Sequence, residues 1–177
     1  MSSCNANTAS CMDQGPAEFI ASPQPEAYAR FLQPLNLNEH DVAAGFPLAV
    51  VSTGLPYLLV PLASGLERAR MLVTDYGALL AQLGAKFVYI FDVNRVEGRT
   101  WDNAGVEDVA TGSAAGPLGA YLYKHRRFLP GQGILLRQGR FLGRDSEISI
   151  RQHAVSAAIA VSPAPETSAT SRTVAEQ

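Results

Sequence analysis

Cysteine is scarce in this 177-residue sequence, where only Cys4 and Cys11 occur, both in a polar N-terminal stretch. Neither belongs to a CxxC pair or lies among other metal-ligating residue types, so the sequence indicates no zinc or redox motif. A disulfide between them would close a short loop, but nothing in the sequence requires one. We therefore expect a reduced, cytoplasmic compartment.

Charge is also limited. Charged residues make up 17% of the chain and the formal net charge is −2, so no electrostatic argument supports binding to nucleic acid or to an acidic membrane surface. The basic cluster at residues 124–127 is short and is interpreted as a solvated helix end. We expect no nucleic acid and no membrane among the partners.

Long hydrophobic runs are missing. The apolar stretches at residues 47–51 and 55–62 are interrupted by prolines and polar residues and are far shorter than a membrane-spanning helix. The chain does not begin with a basic segment followed by an apolar one, so we expect no signal peptide.

What is present is the composition of one globular domain. Hydrophobic residues make up 47% of the chain, and the length suits a single domain with a substantial core. We expect a disordered N-terminus over residues 1–11, a domain over residues 12–161, and a disordered Ser-, Thr-, Ala- and Pro-rich tail over residues 162–177.

Helical and extended patterns alternate irregularly within that domain. Hydrophobic spacing and capping residues predict helices at 25–35, from 38, at 64–70, at 75–83 with Gly84 as its C-cap, and at 112–127. β-rich runs predict strands at 48–52, 57–62, 86–92, 95–101, 133–138, 147–152 and 155–161, with 86–92 and 95–101 as a hairpin. The predicted fold class is α+β, with a mixed curled sheet around a central helix, namely the small-residue helix 112–127.

The segment 107–116, EDVATGSAAG, carries the strongest chemical signal. An acidic pair precedes a small, glycine-containing helix start, which Thr111 or Ser113 can cap. The N–H groups of a first helical turn have no intrahelical partner and carry partial positive charge, so they suit a substrate carboxylate. Asp108 lies just before them, where it can accept a hydrogen bond or hold an ammonium group. The alternative is an ordinary capped helix in which Asp108 and Thr111 only satisfy backbone donors.

Pro117 conflicts with this helix because proline removes a backbone hydrogen bond, so the helix either starts late or bends there. Neither GxxxxGK[ST] nor GxGxxG is present, and no serine lies in a GxSxG elbow. The three histidines, His40, His125 and His153, are far apart and form no metal-ligand spacing. We expect no metal. Thr53 is equally consistent with a cleft and with a tight turn, whereas Trp101, Tyr121 and Tyr123 are interpreted as packing residues.

Four segments resemble the PhzF-like (phenazine-biosynthesis type) isomerases. EDVATGSAAGPLGAYL resembles the signature of an acidic pair followed by Pro-Ala-Thr-Gly-Ser-Ala, and VSTGLPYLLVPL resembles the second signature of the family's C-terminal half. GILLRQG followed by Gly143-Arg144 resembles the closing strands, and MDQGPAEF resembles the entry to the same domain. The resemblance runs from about residue 12 to residue 161 and covers about half of a typical member.

The resemblance implies a diaminopimelate-epimerase-like fold, in which two similar α+β domains face each other across the active site. It implies proton transfer at carbon, as isomerisation or epimerisation, without cofactor or metal. Asp108 corresponds to the family's active-site aspartate and Ser113 to its active-site serine. Thr111, Gly112 and Ser113 correspond to the substrate-binding helix start.

The sequence also departs from the family. The principal acid/base glutamate and a Gly-His element belong to the family's other half and have no match here, and Glu39 is not a substitute. Val109 replaces the usual proline, which should loosen the turn, and Ala157-Ala158 replace paired glycines.

Two functions follow from these observations. The chain is either an isomerase domain that needs a second half, from an N-terminal-half chain or from a homodimer, or a truncated, non-catalytic remnant. Such a remnant would bind a small carboxylate or a partner chain. The substrate expected in either case is a small carboxylate-bearing molecule.

Overall fold

A computed structural model of the chain describes residues 10–129, 131–152 and 157–163. In this part of the chain, nine strands form one open, mixed sheet in the order β1-β9-β8-β7-β6-β5-β4-β3-β2. The strands are β1 (Ser10–Gln14), β2 (Glu18–Ala21), β3 (Ala49–Ser52), β4 (Pro56–Leu62), β5 (Phe87–Asp92), β6 (Glu97–Thr100), β7 (Ile134–Gln138), β8 (Ser146–Gln152) and β9 (Ala157–Pro163).

Most neighbouring strands are antiparallel, and the β4–β5 and β6–β7 pairs are parallel. The predicted hairpin is confirmed, since β5 and β6 pair with Tyr89 opposite Thr100. Its turn is closed by Asp92, whose Oδ1 accepts hydrogen bonds from the N–H groups of Asn94 (2.8 Å) and Arg95 (2.9 Å).

The sheet curls around one helix, α3 (Gly112–Lys124). This helix contacts β8 and β9 from one half of the strand order and β3 and β4 from the other half. Ala114, Ala115, Leu118 and Leu122 on this helix are completely buried. Small side chains let the strands approach the helix closely. The predicted α+β fold, a curled sheet around a central helix, is therefore confirmed.

Two further helices, α1 (Tyr28–Leu32) and α2 (Tyr76–Ala81), cover the outer face of the sheet. Because side chains alternate along a strand, β4 directs Tyr57 and Leu59 towards the core around α3 and Leu58 and Val60 towards the outer core. The central strands are thus buried on both faces, which explains their nearly continuous apolar sequence.

The helix predicted at residues 64–70 is wrong. The segment forms isolated turns, in which the N–H groups of Arg68 and Ala69 both donate to the carbonyl of Gly65 at 3.2 Å. Asp41 competes for the same segment, because its carbonyl accepts from Ser64 N–H and its carboxylate binds the side chains of Ser64 and Arg68. Gly65 has a φ of +87°. These non-local contacts replace the helical ladder.

Several predicted helix boundaries move inward. Residues 25–35 divide into α1 and two 3₁₀ turns, Pro25–Ala27 and Gln33–Leu35, each with a proline near its start. The helix predicted from residue 38 is a single 3₁₀ turn, Glu39–Asp41. Helix α2 ends at Ala81 with Gln82 as its C-cap, two residues before the predicted end. Gly84, the predicted C-cap, takes the left-handed conformation (φ +75°) in the turn that follows, where Ala85 N–H donates to the carbonyl of Leu80 at 3.1 Å.

Helix α3 begins at Gly112 and continues past Pro117, so it does not start late. It ends three residues before the predicted position, because Arg126 takes the left-handed conformation (φ 55°) and Arg127 N–H donates to the carbonyl of Leu122 at 2.9 Å.

Of the ends predicted to be disordered, residues 1–11 and 162–177, positions 1–9 and 164–177 lie outside the described residues, whereas Ser10 and Cys11 belong to β1 and Ser162 and Pro163 to β9. Within the described ranges, no helix has the length and apolar character needed to cross a membrane.

Candidate active site

Asp108 is placed by a short arm, residues 101–107, that leaves the end of β6. Trp101 and Glu107 form a β-bridge across this arm, and Asp108 N–H donates to the carbonyl of Thr100 at 3.0 Å. Asp102 closes the tip, because its Oδ1 accepts from the N–H groups of Ala104 and Val106, both at 2.8 Å. These contacts therefore hold Asp108 in a defined position just before the start of α3.

The arm is fixed to the body of the domain by Arg99. Its guanidinium makes a bidentate pair with Glu107 (2.8 and 2.7 Å) and donates to the carbonyls of Leu66 and Ala69, both at 2.8 Å. Arg99 is 6% exposed. Glu107 is thus fully engaged in a buried ion pair, although it is adjacent to Asp108 in sequence.

Thr111 and Gln138 hold Asp108 from the other side. Thr111 Oγ1 donates to Asp108 Oδ2 at 2.7 Å, and Gln138 Nε2 donates to the Asp108 carbonyl and to Thr111 Oγ1, both at 2.9 Å. Gln138 Oε1 accepts from the Tyr89 hydroxyl at 2.9 Å. Thr111 occupies the N-cap position, but its hydroxyl oxygen accepts from Gln138 and from no backbone N–H of α3, so the prediction that its side chain caps the helix is wrong.

Ser113 also makes no cap, because its Oγ lies 2.7 Å from the hydroxyl of Tyr57 on β4. Burial raises the pKa of the Tyr57 hydroxyl above its usual value, while the Ser113 hydrogen bond lowers it and the charge of Asp108 raises it further. Tyr57 is therefore a neutral phenol at neutral pH.

Gly112 is held by β1, which lies 98 residues earlier in the sequence. Gln14 on β1 donates from Nε2 to the Gly112 carbonyl at 2.9 Å, and its Oε1 accepts from the hydroxyl of Thr53 at 2.6 Å. A side chain at Gly116, one turn along the helix, would overlap the Gln14 amide. Thr53 thus supports the helix start as well as lying beside a turn.

Each residue of the helix start is consequently held by a different strand: Thr111 by β7, Gly112 by β1 and Ser113 by β4. The N–H groups of Gly112 and Ser113 form no hydrogen bond to any other described residue. These two donors and the dipole of α3 favour a negatively charged group at this position.

The helix start opens into a groove of about 380 Å³. Its lining combines the site residues with aromatic and aliphatic side chains and comprises Leu55, Tyr57, Phe87, Thr100, Trp101, Asp102, Val106, Glu107, Asp108, Thr111 and Ser113. Asp108 is exposed to this groove, and no basic side chain is among these lining residues.

The predicted site residues Asp108, Thr111, Gly112 and Ser113 therefore come together at one end of α3. Sequence reasoning did not assign site roles to Gln14, Tyr57 and Gln138, whose partners are 98, 56 and 27 residues away. Each of the three nevertheless lies inside a segment that carries the family resemblance, which is the signal that could have indicated them.

The histidines and the other aromatic residues singled out in the sequence are not part of the helix start. His125 packs against Tyr121 with ring centroids 4.3 Å apart and ring planes tilted by 40°, and burial lowers its pKa. Trp101, Tyr121 and Tyr123 are buried as predicted, although Trp101 also lines the groove. His153 lies outside the described residues. Among those that are described, no group of His, Cys, Asp and Glu is arranged to hold a metal ion.

Comparison with known proteins connects this geometry to a family. The model of the phenazine biosynthesis-like protein family (PhzC-PhzF) matches residues 5–163. A solved structure described as a predicted epimerase from Pseudomonas aeruginosa has a TM-score of 0.80 and 47% sequence identity, covering 88% of this chain and 56% of that chain.

Two curated relatives are named isomerases. The uncharacterized isomerase YddE of Escherichia coli O157:H7 is 35% identical over 152 residues, which is 78% of this chain and 50% of that protein. The trans-2,3-dihydro-3-hydroxyanthranilate isomerase of Pseudomonas aeruginosa is 52% identical over 46 residues, 26% of this chain and 16% of that protein. This chain spans about half the length of the Escherichia coli relative. With a family model that matches most of its residues and a fold shared with a solved member at 47% identity, the chain belongs to the phenazine biosynthesis-like (PhzF) protein family.

Proposed function

We propose that this chain forms one wall of a PhzF-like isomerase or epimerase site, which moves a proton at carbon of a small carboxylate-bearing metabolite without a cofactor. The observation that carries the proposal is that Asp108 and Ser113 line one groove at the start of α3, where the N–H groups of Gly112 and Ser113 form no hydrogen bond to another described residue. A proton acceptor and an anion site are thereby held next to each other.

The carboxylate of the substrate binds at the start of α3. The N–H groups of Gly112 and Ser113 can both donate to it, because neither is hydrogen-bonded to another described residue. Strands hold this turn from three directions, so binding requires little reorganisation of the protein.

Asp108 acts as a proton acceptor or donor. Its Oδ2 accepts the hydroxyl proton of Thr111, so Oδ1 is the oxygen that exchanges a proton with the substrate. The carboxylate is also available to a substrate ammonium group. Thr111 then acts by orienting Asp108, because its hydroxyl has no proton left to donate to an anion.

Proton transfer at carbon also needs a group facing Asp108. The two other carboxylates of the groove are committed: Glu107 is paired with Arg99, and Asp102 holds the tip of the arm. We therefore include in the proposal a partner that supplies the opposing group, either an N-terminal-half chain or a second copy of this chain.

Deuterium exchange tests the reaction. This chain is mixed in D₂O with a separately produced chain comprising the half of the Escherichia coli relative that it does not cover. Deuterium incorporation at carbon is followed in trans-2,3-dihydro-3-hydroxyanthranilate, the compound in the name of the Pseudomonas relative. We expect exchange that Asp108→Asn reduces by roughly 10²–10⁴-fold. Asp145→Asn, at an exposed position outside the groove, should leave it unchanged.

Exchange that survives Asp108→Asn would contradict the assigned role. Carboxylate binding with no exchange for any pairing would favour the non-catalytic alternative, a remnant that binds a small carboxylate or a partner chain. The exposure of Asp108 in the lone chain favours this alternative.

A sulfate soak of crystals tests the anion site separately. We expect density for sulfate at Gly112 and Ser113, because two N–H donors and the helix dipole coincide there. Density at the basic cluster of residues 124–127 and none at the start of α3 would count against the site.

A further inference from the structure

Tyr57 contributes a hydroxyl group to the groove whose position packing alone does not explain. The residue is 3% exposed, and its ring packs against Phe87 with ring centroids 5.6 Å apart. A phenylalanine would make the same ring contacts. The Tyr57 hydroxyl, by contrast, lies 2.7 Å from Ser113 Oγ, and both side chains line the groove.

Counting hydroxyl protons shows what this pair offers to a ligand. Tyr57 and Ser113 each have one O–H donor, and only one hydrogen bond joins the two oxygens. Whichever residue donates, one hydroxyl proton remains for a third group. Among the described residues neither hydroxyl has a second hydrogen-bond partner, so the remaining proton is available to a molecule in the groove.

An anion at the start of α3 selects one of the two arrangements. Ser113 Oγ belongs to the same turn as the Gly112 and Ser113 N–H groups, so its proton is the one that such an anion can accept. Tyr57 must then donate to Ser113. Charge-assisted hydrogen bonds are stronger than neutral ones, so the bound anion favours the chain of donors from Tyr57 through Ser113 to the ligand.

We propose that Tyr57 is a positioning residue of this site, which orients the Ser113 hydroxyl so that its proton is directed to the carboxylate of the ligand. The inference rests on the proposed function, since it assumes an anion at Gly112 and Ser113. Tyr57 acts through Ser113, and its own effect is on carboxylate affinity.

A double-mutant cycle tests this assignment with acetate as the probe. The wild-type chain, Tyr57→Phe, Ser113→Ala and the double variant are titrated with acetate at pH 7, following the amide resonances of Gly112 and Ser113 by NMR. We expect Tyr57→Phe to weaken acetate binding by roughly 2–10-fold, as for one lost hydrogen bond. The double variant should bind no more weakly than Ser113→Ala, because Tyr57 has no effect without the serine hydroxyl.

Tyr121→Phe is the matched control. It removes the hydroxyl of another buried tyrosine, which donates to the carbonyl of Pro47 and does not line the groove. Thermal unfolding of every variant is recorded alongside. A merely structural role of the Tyr57 hydroxyl would lower stability without the coupling to Ser113 in acetate affinity.

The outcomes separate the two claims. If the wild-type amides do not respond to acetate, the anion site of the proposed function is absent and this inference falls with it. If acetate binds and Ser113→Ala weakens it, but Tyr57→Phe binds as tightly as wild type, the anion site stands and the role of Tyr57 is refuted. Additive effects of the two substitutions refute it as well.

Discussion

Arg99 shows how one side chain fixes a site that it does not line. Its guanidinium is held by Glu107 and by two main-chain carbonyls, and it lies over the rings of Trp101 (5.1 Å to the centroid) and Phe141 (4.2 Å). Planar geometry suits arginine to simultaneous pairing and stacking of this kind. Arg99 thereby links the body of the domain to the arm that carries Asp108.

Arg99→Met should lower the free energy of unfolding by about 3–5 kcal/mol, since it leaves the largely buried Glu107 carboxylate, whose side chain is 11% exposed, without its partner. Urea denaturation measures the loss. Arg137→Ala is the control, because it breaks an exposed pair with Glu147 (3.5 Å) and should cost less than about 1 kcal/mol. Equal losses for the two variants would mean that the Arg99 pair is not effectively buried.

At the residue scale, the sequence predicted the local part of the site. Asp108, Thr111, Gly112 and Ser113 are close in sequence, and the spacing before a helix start indicated them. It could not predict which groups the hydroxyls would bind, because a serine or threonine at a helix start usually caps the backbone. Here the partners come from remote strands: Gln138 on β7 donates to the Thr111 hydroxyl, and the Tyr57 hydroxyl on β4 is hydrogen-bonded to the Ser113 hydroxyl.

At the scale of elements, helix α3 depends on glycines on its buried faces. The strands approach so closely that a methyl group at Gly116 would overlap Gln14, and one at Gly119 would lie 2.7 Å from Ile150 Cγ2. Gly116 therefore permits the contact through which Gln14 holds Gly112. Glycine is costly in a helix, so its presence here is explained by packing.

Gly116→Ala should destabilise the domain by roughly 1–3 kcal/mol, because the added methyl displaces a buried, hydrogen-bonded amide. Gly77→Ala in α2 is a control for which the opposite sign is expected, because the added methyl group has room. Its nearest neighbour would be Asn103 Oδ1 at 3.5 Å, an ordinary contact, so the gain in helix propensity should stabilise by about 0.5–1 kcal/mol. Urea denaturation of both variants checks the signs, and a stable Gly116→Ala variant would contradict the packing argument.

Elements with a strong local pattern were predictable, and those shaped by remote contacts were not. The β-branched and aromatic run of β5 and the small-residue helix α3 formed where expected. Residues 64–70 have helical spacing, yet Asp41, more than twenty residues earlier, holds them as turns. Helix ends moved for the same reason, as at Arg126, whose left-handed conformation no local pattern indicated.

At the scale of the whole molecule, the sheet separates two cores, one around α3 and one under α1 and α2. Buried tyrosines occur in both. Tyr76 donates to the carbonyl of Phe31 on the outer side, while Tyr89 and Tyr121 lie in the core around α3. Burial raises the pKa of all three hydroxyls far above the usual value near 10.

The domain should therefore lose stability at alkaline pH. A tyrosine whose pKa is raised in the folded state stabilises the fold fully below its unfolded pKa, near 10, and this contribution declines as pH rises further. Urea denaturation at pH 8, 9, 10 and 11 should show stability falling only above about pH 10. Tyr121→Phe should make the fall shallower. Stability that stays constant to pH 11 would show that these hydroxyls titrate normally.

We expect little or no isomerase activity from a monomer, because Asp108 is exposed and the other groove carboxylates are committed to structural contacts. One positioned acid or base typically contributes roughly 10²–10⁴-fold, so the lack of an opposing group should be severe. Leu55 and Val106 line the groove and are 37% and 63% exposed, which favours association at this face.

Sedimentation velocity and deuterium exchange at matched concentrations test this expectation together. If two copies complete the site, exchange should increase with the fraction of dimer as the chain is concentrated. If an N-terminal-half chain is needed, exchange should stay absent at every concentration until that chain is added. Robust turnover by a demonstrated monomer, abolished by Asp108→Asn, would refute the prediction, because one wall of the groove would then supply both the proton acceptor and its counterpart.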